Sequence, residues 1–131
     1  MPDETDTRGP LRIFCVEDNP LIVFHIEHMI EDAGHIFLGF ADCLAQLKAE
    51  IETIEVDGAL IDIDLADGCT GPEAAAWLKE RGIPSIFVTG QEEIAAQNTG
   101  AVLGVIVKPF SAEDLAEKIE LFRRFSSTGV S

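Results

Sequence analysis

The stretch DGALIDIDLADG, Asp57 to Gly68, decides how this chain reads. Its apolar run Ala59-Leu60-Ile61 ends on the carboxylate Asp62. Three further runs end the same way. Ile13-Phe14-Cys15-Val16 leads into Glu17 and Asp18, Ile86-Phe87-Val88 into Thr89, and Val105-Ile106-Val107 into Lys108. A strand buried on both faces reads as a continuous apolar run, because neither face meets water. In an open parallel sheet the ligand site lies beyond the carboxyl ends of the strands. Four such strands would therefore bring three acids, a hydroxyl and an ammonium to one edge. That set suits a divalent cation and a phosphoryl group.

The remaining elements follow outward from this frame. Residues 1–10 read as a polar lead-in without fixed structure. Arg12–Val16 is the first strand. Asn19-Pro20 opens a helix by cap and first-turn proline, and Ile22, Ile26, Met29, Ile30 and Ala33 recur at helical spacing until Gly34. Ile36–Phe40 is the second strand, and Asp42 is expected to cap a helix carrying Leu44, Leu47 and Ile51 on one face. Gly58–Asp62 is the third strand, followed by an acidic loop through Gly71. Pro72–Arg81 reads as a helix closed by Gly82, Pro84–Val88 as the fourth strand and Leu103–Val107 as the fifth. Between those two strands, QEEIAAQNTGAV has room for only a short helix. Ser111 with Asp114 is a capping-box start to the last helix, whose face is Leu115, Ile119, Phe122 and Phe125. Five strands alternating with about five helices describe a doubly wound α/β sheet with helices on both faces. The expected layout is a lead-in over 1–10, one domain over 11–125 and a polar tail over 126–131.

Composition narrows the function classes. The length of 131 residues suits a single domain, and 47% hydrophobic with 25% charged residues is ordinary for a globular chain. Nine basic against 24 acidic residues give a net charge of −15, which repels nucleic acid. A phosphate must then be drawn in by a bound cation and Lys108 rather than by a general positive field. Three cysteines at 15, 43 and 69 lack CxxC spacing, which argues against a zinc knuckle or disulfide scaffold and fits a reducing cytoplasm. No run approaches the ~18 apolar residues needed to span a bilayer, and the acidic start is unlike a signal peptide. The expectation is a cytoplasmic protein with no nucleic-acid or membrane partner.

Carboxylates crowded together are costly alone: like charges ~4 Å apart repel by roughly 1 to 4 kcal/mol per pair. A hard cation removes that cost, and an oxygen-only ligand set points to Mg²⁺. A carboxylate can also act as a nucleophile and form an aspartyl-phosphate. Phosphoryl transfer is catalysed mainly by positioning and charge neutralisation, which the cation, Lys108 and the Thr89 hydroxyl could supply.

The segments VEDNP at 16–20, LIDIDLADG at 60–68, IFVTG at 86–90 and VKPF at 107–110 resemble those of a response-regulator receiver domain of two-component signalling. The resemblance runs from about residue 11 to 122. It implies a five-stranded parallel sheet of flavodoxin-like order 2-1-3-4-5, and a stand-alone receiver phosphorylated on Asp62 by a histidine kinase or histidine phosphotransfer protein. By the same resemblance Asp18 binds Mg²⁺ directly, Glu17 binds it through water, and Asp62 and the backbone carbonyl of Asp64 complete the protein ligands. Thr89 would be the switch hydroxyl, and Lys108, joined to Pro109 by a cis peptide, would pair with the phosphoryl group. Such a chain assists its own phosphorylation and dephosphorylation but is not a turnover enzyme. Its output is protein contact, phosphorelay or a phosphate sink. Receivers usually carry an aromatic three positions before the lysine, and Val105 stands there instead. PSIFVTG also resembles the FAT GUY subgroup found beside HWE-class histidine kinases in alphaproteobacteria, which implies activation through the segment 91–104.

Rival readings remain. Asp62-Ile63-Asp64 fits the Asp-x-Asp of a small aspartate-nucleophile phosphatase of haloacid-dehalogenase type, although that motif belongs near a chain start. A flavodoxin-like cofactor binder would need a phosphate-cradling loop where Glu17-Asp18 stand. Asp67-Gly68 reads as a turn pair. His25 and His28, one helical turn apart, read as ordinary helix residues without a third metal ligand. Trp77 reads as a core or half-buried residue rather than a docking one, and Leu21 and Phe24, off the Ile22/Ile26/Met29 stripe, as contact residues for a kinase helix.

Overall fold

The computed structural model describes residues 9–62, 70–90, 100 and 102–129, with backbone alone at residue 70 and at 126–129. The expected Asp64, Asp67-Gly68 turn, residues 1–8 of the lead-in and nearly all of 91–101 lie outside those residues. The chain runs β1 (Arg12–Val16), α1 (Pro20–Asp32), β2 (Ile36–Ala41), α2 (Leu44–Ile51), β3 (Gly58–Asp62), α3 (Thr70–Glu80), β4 (Ser85–Thr89), β5 (Gly104–Val107) and α4 (Ala112–Gly129). All strand pairs are parallel, in the order β2-β1-β3-β4-β5. This is the flavodoxin-like order that the resemblance implied.

Alternation within each apolar run explains the two-sided core. Phe14 and Val16 of β1, Ala59 and Ile61 of β3 and Phe87 of β4 share one layer with Leu47 of α2 and Leu78 of α3. Ile13, Cys15, Leu60, Ile86 and Val88 face the other way, against Ile26 and Ile30 of α1 and Leu115, Ile119 and Phe122 of α4. Each fully buried large apolar side chain contributes about 1.5 to 3 kcal/mol, so three such residues anchor α4. Gly58 makes room for that helix: a Cβ there would overlap the Phe122 ring.

Local signals set most element ends. Asn19 is the N-cap of α1, with its side chain accepting from the Leu21 N–H and proline in the first turn. Gly34, at φ +87°, turns the chain out of α1 into β2. There the buried His35 accepts the Leu11 N–H on Nδ1 at 3.0 Å, and burial lowers its proton affinity against the opposing pull of Glu120. Ser111 and Asp114 form the expected reciprocal capping box, at 3.0 and 3.1 Å. Trp77 is half-buried, with the cations of Lys48 and Arg81 over its ring.

Several expectations shift. The N-cap of α2 is Cys43, without a side-chain cap bond, and Asp42 instead donates its backbone N–H to Gln46 Oε1 at 2.8 Å. Helix α4 continues through Gly129, because a polar face does not stop a helix in the absence of a breaker. Phe125, expected on its buried face, is 39% exposed. β4 begins at Ser85, one residue later than expected, and β5 at Gly104.

Candidate functional site

Strand register brings the polar ends together. Val16 pairs with Ile61, Asp62 with Val88, and Thr89 with Val107. Each residue that follows therefore emerges at the same carboxyl edge of the sheet. Glu17 is fixed there by its backbone N–H, which donates to the Ala41 carbonyl at 2.9 Å. Lys108 is fixed likewise, donating its N–H to the Thr89 carbonyl at 2.8 Å. The Lys108–Pro109 peptide is cis.

One carboxylate oxygen from each of Glu17, Asp18 and Asp62 lies within 4.8 Å of the others. Glu17 and Asp62 are buried and Asp18 is half-buried. Among the described residues this is the one group arranged to hold a metal ion. Lys108 Nζ donates to Asp62 Oδ2 at 3.2 Å. Thr89, fully buried, closes the edge from β4. Five of the expected site residues thus share one edge of the sheet, and Asp64 is outside the described chain. His25 and His28 do not join them. Both are exposed on α1, and the His28 ring stacks edge-on against Phe24 at 4.4 Å.

The electrostatics of the cluster suit a cation. Burial pushes the Glu17 carboxyl up to about 8, aided by the neighbouring Asp62 carboxylate, while the Asn19 N–H and Lys108 pull it down. Glu17 Oε2 accepts the Asn19 N–H at 3.2 Å, whereas Oε1 is buried with no hydrogen-bond partner. An orphaned buried carboxylate oxygen beside two other carboxylates is what a hard cation satisfies. The residues therefore fit Mg²⁺, with Asp18, Asp62 and Glu17 as donors. Cys15, next along β1, is no nucleophile, since burial and the nearby acids push its thiol far above its usual range.

Two features escaped the sequence. Asn19 reads as a helix cap and nothing more, yet its N–H holds Glu17. Nothing in the residue order announces His35 as a backbone acceptor. By contrast, Leu21 and Phe24 stand exposed on α1 at 78% and 61%, as their place off the stripe predicted. Val105 is half-buried and packs on the layer beneath α2 and α3, where the resemblance led one to look for an aromatic. Among the described residues no helix is long and apolar enough to cross a membrane.

Comparison with known proteins agrees with the geometry. The family described as response regulator receiver domain matches residues 13–120. The phyllosphere-induced regulator PhyR of Methylorubrum extorquens is 32% identical over 110 residues, which is 82% of this chain and 41% of that protein. The solution structure of the Erythrobacter litoralis PhyR receiver domain superposes with a TM-score of 0.80 at 26% identity, covering 91% of this chain and 94% of that one. The anti-anti-sigma factor PhyR of Bartonella quintana gives 0.81 at 28% identity, over 92% of this chain and 50% of that one. The chain thus spans less than half the length of the curated PhyR.

Proposed function

Since this chain belongs to the response regulator receiver domain family, we propose that it accepts a phosphoryl group on Asp62 in an Mg²⁺-dependent step. The donor is a histidine kinase, of the HWE class by the subgroup resemblance, or a histidine phosphotransfer protein. One observation carries this reading: a buried aspartate at a strand end has an ammonium at 3.2 Å on one side and two further acids on the other. Such a carboxylate is oriented, kept from bulk water and placed where a phosphoryl oxygen can meet Lys108.

In the proposed step an Asp62 oxygen bonds to phosphorus as the P–N bond to the donor imidazole breaks, and the imidazole keeps the electron pair. Lys108 moves its hydrogen bond from the carboxylate to a phosphoryl oxygen, and the Thr89 hydroxyl donates to another. Glu17, Asp18 and Asp62, with the Asp64 carbonyl by the receiver resemblance, would hold the cation, which when bound would neutralise charge on the acids and on the incoming phosphoryl group. Phe24 and Leu21 offer the donor an apolar foothold beside the site.

The chain acts as an acceptor with one event per phosphoryl group, not as a turnover phosphatase, and works in the cytoplasm. The likeness to PhyR proteins, one of them an anti-anti-sigma factor, favours protein contact over relay or sink as the output. Intact mass after incubation with a small phosphodonor and Mg²⁺ tests the reading. One added phosphoryl group is expected, lost with Asp62→Asn and with a chelator. Sustained release of inorganic phosphate would favour the phosphatase instead, and an equal mass gain in the variant would defeat both.

A further inference from the structure

Asn19 makes two kinds of bond at one turn of chain. Its backbone N–H donates to Glu17 Oε2 at 3.2 Å, and its side-chain Oδ1 accepts the Leu21 N–H at 3.0 Å. Its carbonyl takes the Ile22 and Val23 N–H groups, both at 3.0 Å. The residue is thus the N-cap of α1, in an extended conformation at φ −100° and ψ 112°, and also the anchor of a buried acid.

The last torsion of a glutamate is broad and roughly two-fold, so a carboxylate without a fixed donor interchanges its two oxygens. At Glu17 the Asn19 N–H breaks that symmetry. It engages Oε2 and leaves Oε1, buried and unpartnered, on its own. The direction of that N–H depends on the turn from Glu17 to Leu21, and the turn is held by the side-chain cap.

We propose that Asn19 is a positioning residue for the cation site: by capping α1 it aims the peptide N–H that clamps one Glu17 oxygen and presents the other to the cation or its water. This rests on the reading that the acids hold Mg²⁺. Groups that orient metal ligands from the outer shell typically change metal affinity by about 10- to 100-fold when removed. Here the N–H itself survives a side-chain change and only its aim is lost, so the low end applies.

The test is calorimetric titration of Mg²⁺ into the whole chain for wild type, Asn19→Ala, Asn19→Ser and Ser111→Ala. Asn19→Ala should weaken binding by about tenfold, and Asn19→Ser, which restores a capping oxygen, should return it to within about twofold. Ser111→Ala removes a comparable cap from α4 and should leave Mg²⁺ affinity unchanged, which separates positioning from general loss of stability. If Asn19→Ala binds as wild type does, or Ser111→Ala weakens binding equally, the proposal falls while the cation site stands. If wild type takes up no Mg²⁺, the cation reading and this proposal fall together.

Discussion

Replacing Asp62 by asparagine should stabilise the cation-free protein, although it breaks an ion pair. The oxygens of Asp62, Glu17 and Asp18 lie within 4.8 Å of one another. At that separation each like-charged pair repels by about 0.9 kcal/mol at a dielectric of about 80 and about 3.5 at about 20. The Lys108 contact at 3.2 Å returns about 1.3 to 5 kcal/mol on the same scale. Two repulsions therefore outweigh one attraction by about 0.4 to 1.7 kcal/mol. Asparagine keeps the shape and an acceptor for Lys108, whose side chain is 26% exposed and can turn to water, so no buried charge is stranded. For a chain of this size the gain is worth about 2 to 7 °C in Tm. The assay is thermal unfolding at pH 9.5, above the Glu17 value of about 8, in chelator and then in Mg²⁺. The variant should melt higher than wild type in chelator, and Mg²⁺ should raise wild type more than the variant. A variant that melts lower in chelator would show that Asp62 is held by net attraction, and the reasoning from crowded acids would be wrong.

Other outcomes follow from the same geometry. Glu17 rises from 4.5 to about 8 on folding, so the native state keeps a proton that the unfolded chain has released. Its contribution to stability in chelator should therefore fall as pH rises through that window, by at most about 1.4 kcal/mol per pH unit. Mg²⁺ must displace that proton, so its stabilising effect should grow towards pH 8; urea midpoints at three pH values with and without Mg²⁺ check both signs. Phe24→Ala should slow phosphotransfer from a kinase by about tenfold, as truncating an interface aromatic does, and leave the rate with a small phosphodonor alone. An equal loss in both reactions would refute the contact. Gly58→Ala, which drives a methyl into the Phe122 ring, should lower unfolding free energy by about 1 to 3 kcal/mol in a urea titration.

The sheet and its acidic edge were legible because the central strands β1, β3 and β4 are buried on both faces, and a run such as Ala59-Leu60-Ile61 declares its end by the first charge after it. Glu17, Asp18, Asp62, Thr89 and Lys108 could thus be placed before any coordinate was known. What could not be read depends on side-chain reach rather than residue type. Asp42 carries a capping carboxylate, but Gln46 reaches back and Cys43 takes the N-cap position. The polar residues after Phe125 suggested a tail, yet no proline or glycine interrupts 126–128, so α4 runs to Gly129. Asn19 announced a cap by its place before Pro20. Its hold on Glu17 required knowing that the chain turns tightly enough for the N–H to face back along it.

Under the proposed function one oxygen in this nest of acids, on Asp62, seats the phosphoryl group. An acyl phosphate is reduced by borohydride to the alcohol, which turns a phosphorylated aspartate into homoserine and marks its position permanently. Peptide mapping of the phosphodonor-treated, reduced protein should find homoserine at position 62 alone, and only when Mg²⁺ was present. Homoserine at another acid, or labelling at 62 that is indifferent to the cation, would contradict the account.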